Sequence, residues 1–363
     1  MPLNIFSASG RKVLFFEDYI QSWLRGQPKE PICLEIHPSE RCNHRCPNCQ
    51  SKYSIGSTKA KQVARAGEFL DMRLLEGIWD RPPLGIVISG HTGEPLMHPE
   101  IGSLFELLLR KSIPGALVTN GTRLTPDIAQ VAIQACRGIR ISLDAYDAVS
   151  YKKIHGVNPD EWERAKASIV LLIEKRRQLG LSPKECLIGV GYLTNKKNKL
   201  NMEMATKIVS SLGADYIHFR PYHYSETSIA DVITKKCKCY ENENFSIWGS
   251  DQKYDIIGSS RNYHICHGAH MFNVIDARGD IYICCHHVLV PEAKFASLKN
   301  ISWSDWVNSQ ERREKIKSFV IRPDNCIPLC RVNAINEVLE ARRRGITLTL
   351  PEGFINRHHA VFL

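Results

Sequence analysis

The chain has 363 residues, 43% of them apolar and 24% charged, and 48 Lys and Arg against 38 Asp and Glu give a formal charge of +10. That apolar content offsets ordering entropy and excludes a mainly disordered chain, and the length suits two domains or one large α/β unit with an extension. Thirteen cysteines are too many to be incidental and too sparse for a small disulfide scaffold.

The opening segment, MPLNIFSASGRKVLFF, has no long apolar run ahead of a small-residue cleavage site, so no signal peptide is expected. Apolar runs such as Ile169 to Ile173 fall far short of the roughly 20 residues that span a bilayer. The expected location is cytoplasmic, without membrane attachment. Thiols stay reduced there, so clustered cysteines point to metal or redox chemistry. The positive charge fits a solvated face, an anionic substrate or an acidic electron-donor protein. Nucleic acid is disfavoured, because no basic block is interleaved with aromatics.

Residues 1–30 form an N-terminal extension. From there to residue 225, short β-rich runs alternate with helical patterns. The expected strands are Cys33–His37, Gly85–Ser89, Gly115–Thr119, Gly138–Leu143, Leu187–Leu193 and Tyr216–Pro221, all rich in Ile, Val and Leu and closed by Gly, Asn, Pro or polar turns. Helices are expected over Asp71–Trp79, Glu100–Lys111, Pro126–Cys136, Asp160–Gln178 and Leu200–Leu212, with Thr125 capping and Pro126 at the first helical position of the third. Right-handed βαβ crossovers then predict an α/β fold, a partial (β/α)6 TIM-like barrel with its active site at the strand C-terminal ends. Residues 226–262 are polar and aperiodic and read as a linker or substrate loop. A small α+β unit is expected over 263–345. It has a hairpin from Phe272–Ile275 through Ala277-Arg278-Gly279-Asp280 to Ile281–Cys284, and helices at Trp303–Ser318 and Val332–Arg344. Residues 346–363 read as a tail.

The sharpest motif is Cys42-Asn43-His44-Arg45-Cys46-Pro47-Asn48-Cys49, just past the first strand. Three thiolates at this spacing wrap one compact site and select zinc, Cu(I) or an iron–sulfur cluster. Zinc normally takes four ligands, with His37 and His44 as the nearest candidates. A 4Fe–4S cluster held by three cysteines leaves one iron open, and an adjacent amine and carboxylate can chelate it. The next strands end in Ser89-Gly90-His91-Thr92-Gly93-Glu94-Pro95-Leu96, Thr119-Asn120-Gly121 and Ser142-Leu143-Asp144-Ala145. A glycine turn permits close backbone approach, a carboxylate accepts from an ammonium group, and Ser and Asp can bond a ribose diol. Each tip alone is ordinary turn chemistry; four at one barrel mouth argue for a site.

On these motifs, in this order, residues 31 to 221 resemble a radical S-adenosylmethionine (radical SAM) enzyme. The resemblance implies that Cys42, Cys46 and Cys49 ligate a 4Fe–4S cluster whose fourth iron takes the SAM amine and carboxylate. It places Gly93, Glu94 and Pro95 at the methionine amine, Asn120 at the neighbouring tip, Ser142 and Asp144 near the ribose, and Arg220 at the SAM carboxylate or the substrate. The chain departs from the family pattern twice. Thr92-Gly93 replaces a glycine pair, and Asn48 stands where an aromatic residue is common.

Cys266, Cys284, Cys326 and Cys330 form a second set that matches structural zinc or a fully ligated 4Fe–4S cluster. The stretch, with Gly279-Asp280-Ile281-Tyr282-Ile283-Cys284 and the pair Cys326 and Cys330, is similar to the Twitch or truncated SPASM extension. That likeness implies one auxiliary 4Fe–4S cluster, with Cys285 able to replace Cys284. Cys237 and Cys239 sit among lysines that favour thiolate, and with Cys285 they are the candidate hydrogen-atom donors. Cys33, Cys136 and Cys186 read as core, and His264, His267, His286 and His287 as residues that pack beside the cysteines or lie on the surface rather than ligands.

The chemistry implied is reductive cleavage of SAM to a 5′-deoxyadenosyl radical, with electrons from a flavodoxin or ferredoxin, followed by hydrogen abstraction. Only about 30 residues precede the first strand, too few for the recognition domain that opens many peptide-modifying members. The expectation is therefore a small polar substrate (a sugar, aminocyclitol or nucleotide-linked sugar), leading to dehydrogenation or epimerisation. The alternatives are a peptide maturase gripping its substrate with residues 222–262, and a non-catalytic zinc-binding module.

Overall fold

The computed structural model describes residues 10–27, 29–47, 49, 67–91, 93–195, 198–222, 228, 230–255, 257, 260–321, 326–350 and 357–363. Ten strands form one sheet: β1 (Cys33–Ile36), β2 (Gly85–Ile88), β3 (Gly115–Thr119), β4 (Cys136–Ser142), β5 (Leu187–Thr194), β6 (Tyr216–Pro221), β7 (Ser246–Gly249), β8 (Phe272–Ile275), β9 (Asp280–Tyr282) and β10 (Lys294–Ser297). Their order is β10-β9-β8-β1-β2-β3-β4-β5-β6-β7. Strands β1 to β7 are parallel and neighbour each other in chain order, the winding that the alternating pattern predicts. This is the partial TIM-like barrel.

Helices α1 (Glu17–Leu24), α2 (Ile101–Arg110), α3 (Pro126–Ala135), α4 (Ala148–His155), α5 (Asp160–Gln178), α6 (Met202–Ser211), α7 (Trp303–Asn308), α8 (Gln310–Ser318) and α9 (Asn333–Arg343) accompany the sheet. In α2, Ile101, Leu104, Phe105 and Leu108 form the buried stripe expected at helical spacing. Thr125 caps α3 through its hydroxyl, which accepts from Ile128 N. Consecutive strand residues that point to alternate faces, such as Ile86, Val87 and Ile88, are all buried, which explains the near-continuous apolar runs of the sequence.

Several elements differ from the sequence reading. The segment 226–262 contains β7, paired in parallel with β6; Ser-Ile-Trp-Gly is too short and mixed to announce a strand. The hairpin β8–β9 lies in the same sheet as the barrel, with β8 parallel to β1 from Cys33↔Phe272 to Ile36↔Ile275. The helix expected over Trp303–Ser318 is two, α7 and α8, because Ser309 is extended and caps α8 by accepting from Arg312 N. The last described residues, in the stretch read as a tail, are buried. A Cβ on Gly85 would lie 2.6 Å from Val361, and Lys12 donates to the Phe362 carbonyl at 2.8 Å. Among the described residues no helix is long and apolar enough to cross a membrane.

Candidate functional site

The cysteine loop leaves β1 and is held at the C-terminal mouth by the tips of the neighbouring strands. Glu94 N donates to the Arg41 carbonyl at 2.8 Å, and Glu40 N to the Glu68 carbonyl at 3.0 Å. Gly93 lies so close that a Cβ there would overlap the Ser39 carbonyl and sit 2.6 Å from its carbon. From β3, Asn120 Nδ2 donates to Asn43 Oδ1 at 2.9 Å while Asn43 Nδ2 donates to Thr122 Oγ1 at 2.7 Å. From the hairpin, Arg278 Nε pairs with the buried Glu40 carboxylate at 2.9 Å.

Helix α4, absent from the sequence reading, supplies the contact nearest the cysteines. His155 Nδ1 is 3.4 Å from Cys46 Sγ, and Nε2 lies 2.9 Å from the Leu143 carbonyl. That carbonyl accepts, so in the neutral ring Nε2 carries the proton and Nδ1 faces the thiol. Arg45 N donates to the His155 carbonyl at 2.9 Å, and the left-handed Gly156 (φ +63°) lets the helix end close to Arg45, whose carbonyl oxygen is 2.5 Å from where a Cβ would stand.

Burial pushes the Cys42 thiol up to about 12, with Glu94 adding to it, and raises Cys46 in the same direction. The pair stays protonated unless a cationic group enters. Among the described residues, the only group of three or more metal-type donors within 4.8 Å of one another is His44, Cys46 and His155. Cys42, Cys46 and Cys49 do not lie within 4.8 Å of one another as the ligands of a single zinc ion would, and three soft thiolates suit a cubane, each of whose irons takes its own thiolate.

The other expected ligand contacts divide. Glu94, buried, turns its carboxylate inward, accepting from Thr119 Oγ1, Leu96 N at 3.2 Å and Asn120 N at 2.9 Å. Burial raises it to about 7, against the pull of those donors. It therefore caps the turn at Pro95–Met97 as well as facing the mouth. Asp144 is left-handed (φ 52°), and its Oδ1 accepts from Leu193 N at 2.6 Å. Ser142 is half-buried at the end of β4, level with Gly191 of β5. Arg220 stands near the end of β6, and its Nε has no partner among the described residues. The two family departures at Asn48 and Thr92 lie outside the described residues.

Cys266, Cys284, Cys326 and Cys330 line one cavity with His287 and Asn336. Asn336 Nδ2 donates to Cys266 Sγ at 3.4 Å, Val332 N to Cys330 Sγ at 3.3 Å, and His287 Nδ1 is 3.1 Å from Cys284 Sγ. The Cys330 thiol is pulled down by its hydrogen bond with Cys326. Cys285 is not in that lining. Its charged neighbours are Glu35, Arg331, Cys330 and Lys253. Cys237 departs from the exposed, lysine-activated thiol expected. It is buried against α6, bonded to Thr206, and burial raises it. Cys239 is exposed, bonded to the Lys236 carbonyl. Cys33, Cys136 and Cys186 are buried, as expected of core. His155 lay outside every motif, Asn43 and Arg278 lay inside motifs without a role of their own, and all three are recognisable only from their contacts.

Residues 36–181 match the model of the radical SAM superfamily. A probable GTP 3′,8-cyclase of Methanococcus aeolicus is 29% identical over 221 residues, 57% of this chain and 68% of that one. The GTP 3′,8-cyclase of Agrobacterium fabrum is 32% identical over 126 residues, 33% of this chain and 35% of the relative. Among solved structures, Streptococcus suis SuiB bound to S-adenosylmethionine superposes with a TM-score of 0.59 at 17% identity, covering 84% of this chain and 72% of SuiB. The anSMEcpe structure with bound AdoMet gives 0.54 at 15% identity, covering 86% and 98%. At such identities the structures speak for the fold alone.

The chain carries a radical SAM domain on a partial barrel. That family implies a 4Fe–4S cluster and SAM.

Proposed function

We propose that this protein uses Cys42, Cys46 and Cys49 to hold a SAM-binding 4Fe–4S cluster and acts on a small polar, anionic substrate inside the barrel. When bound and reduced, the cluster and SAM supply a 5′-deoxyadenosyl radical for hydrogen abstraction. The chain's own residues position the reactants and exclude water. Gly93 to Pro95 offer backbone to the methionine end, Asn120 steadies the loop, Ser142 and Asp144 face the ribose, and Arg220 reaches the SAM carboxylate or the substrate. The observation that carries this reading is the convergence of two strand tips and α4 on the cysteine loop, through Glu94–Arg41, Asn120–Asn43 and His155–Cys46.

Cys266, Cys284, Cys326 and Cys330 would hold an auxiliary 4Fe–4S cluster. Their thiols line one cavity, yet no three of them lie within 4.8 Å of one another, a spread that favours a cluster over zinc. Among the hydrogen-donor candidates, Cys285 faces the barrel interior, whereas Cys237 and Cys239 lie on the helical side beside α6. A cluster held by these four cysteines would supply the acceptor for a second electron that dehydrogenation requires, and Cys285 would offer the hydrogen atom that epimerisation requires. A cytoplasmic flavodoxin or ferredoxin supplies the electrons.

The relatives named GTP 3′,8-cyclase favour a nucleotide-like substrate. SuiB, also solved bound to the precursor peptide SuiA, keeps a peptide as the second reading. The test is anaerobic purification with iron analysis and SAM turnover under reduction. About eight irons per chain and released 5′-deoxyadenosine, abolished in a Cys42/Cys46/Cys49 triple alanine variant, are expected. Stoichiometric zinc without SAM cleavage would establish the zinc-module reading instead. Deuterium transfer into 5′-deoxyadenosine from labelled sugar nucleotides or from peptides separates the substrate classes.

A further inference from the structure

The strand register fixes which side chains share the barrel's inner face. Arg140 of β4 is level with Gly189, Ser142 with Gly191, His218 of β6 with Gly191, and Arg220 with Leu193. Gly191 leaves a hollow in the β5 wall. A Cβ placed there would lie 3.1 Å from Arg140 Cδ, 3.3 Å from Arg140 Nε and 3.3 Å from Arg220 Nη2, so both guanidinium side chains border one space. Lys253, on the helical turn Asp251–Asp255 after β7, is buried, and Arg220 is its strongest charged neighbour. Arg140 lies two residues before Ser142 along β4, deeper in the barrel than the strand tips that hold the cysteine loop.

Of the nearby carboxylates, Glu35 pairs with Arg331 at 2.9 Å and His37 at 2.9 Å, while Asp144, whose Oδ1 accepts from Leu193 N, is the strongest opposite charge acting on Arg220. Among the described residues neither Arg220 nor Lys253 forms an ion pair with a carboxylate, and Arg220 Nε has no partner. Burial and mutual repulsion push Lys253 down to about 7 and Arg140 down to about 9. Crowded buried cations are costly without counter-charge, and a planar guanidinium fork matches the paired oxygens of an oxyanion.

We propose, on the reading of this barrel as the substrate chamber of a radical SAM enzyme, that Arg140, Arg220 and Lys253 form an oxyanion subsite that binds the phosphate or carboxylate group of the substrate. The subsite orients the substrate by its charged end and leaves its other end towards the mouth, where Ser142 and Asp144 stand. It also ties part of the chain's surplus positive charge to a defined ligand.

The test uses the anaerobically reconstituted full chain, saturated with SAM at fixed ionic strength, titrated calorimetrically with inorganic phosphate and, separately, with succinate. One of these anions is expected to bind at about one per chain and to lose roughly tenfold or more in affinity in Arg140→Gln and in Lys253→Gln, the scale of one charged hydrogen bond. Arg140→Lys should recover part of that loss. Near-ultraviolet circular dichroism and the visible cluster band verify that the variants fold. Preference for phosphate or for succinate names the substrate's charged group. The proposal is overturned if neither anion binds the wild type, or if the folded variants bind as well as it does. It is equally overturned if SAM competes with the anion and SAM affinity falls in the variants, for then the cations hold the SAM carboxylate. Release of 5′-deoxyadenosine by the wild type tests the radical SAM reading separately, whatever the anion titration returns.

Discussion

Gly93→Ala places a methyl group against backbone. Its Cβ would overlap the Ser39 carbonyl oxygen, 2.6 Å from the carbonyl carbon and 2.8 Å from the carbonyl carbon of Glu40. No flexible side chain can yield there, so the strand tip or the segment leading to Cys42 must shift, and the bond from Glu94 N to the Arg41 carbonyl is strained with it. Overpacking costs about 1–3 kcal/mol and the weakened hydrogen bond about 1 kcal/mol, so a loss of about 2–4 kcal/mol is expected. With an unfolding entropy of about 2.1 cal/mol/K per residue, this chain should melt roughly 3–5 °C lower. Calorimetry of the anaerobic protein measures that shift, and iron analysis should show depletion at the first cluster. Gly102→Ala is the control. Its Cβ meets only the Ile128 Cδ1 methyl, at 3.2 Å, and the helix gains up to about 1 kcal/mol from alanine, so its change should stay small. A Gly93→Ala protein with the wild-type melting temperature and full iron content would refute the close-approach argument.

The Arg176–Asp215 pair is buried, with contacts of 2.5 and 2.8 Å, and Asp215 also accepts from Ile188 N at 2.7 Å; Asp215→Asn leaves the guanidinium uncompensated, and urea titration should show a loss of about 3–5 kcal/mol. Glu94 is raised by burial from 4.5 to about 7, so its contribution is fully present below pH 4.5, falls as the unfolded chain ionises, and is lost once pH passes about 7. That amounts to at most about 3 kcal/mol, and urea midpoints at pH 5 and 7.5 should converge in Glu94→Gln relative to wild type. Cys284→Ser should lose about four irons per chain while Cys285→Ser keeps them. The reverse result would place Cys285 among the auxiliary ligands.

The parallel winding, the cysteine loop and the strand tips were legible because each rests on local signals: apolar runs closed by turn residues, a thiol spacing, and glycines where backbone must approach. His155 was not legible. Ala148–His155 is a short helix of weak amphipathic pattern, and only its capping box, Asp147 with Ser150, marks its start. Nor did Cys237 declare its burial, since flanking lysines describe its chain neighbours and not the α6 face that covers it. The strand β7 escaped for lack of a repeating pattern.

Residue order alone determined that thiols cluster in two sets, that six strands run parallel, and that the first set opens at their C-terminal ends, because spacing and periodicity are properties of the local chain. Tertiary structure decided which of two adjacent cysteines faces the second cavity, that the hairpin pairs with β1 and so brings Arg278 to Glu40, and that Arg140 and Arg220 border the hollow at Gly191 with Lys253 beside Arg220. Those three cations come from β4, β6 and the turn after β7, more than 100 residues apart at the extremes. Only the register of a closed-in sheet, which alternates side chains between its faces, brings the two arginines to one wall, and the turn after β7 adds the lysine.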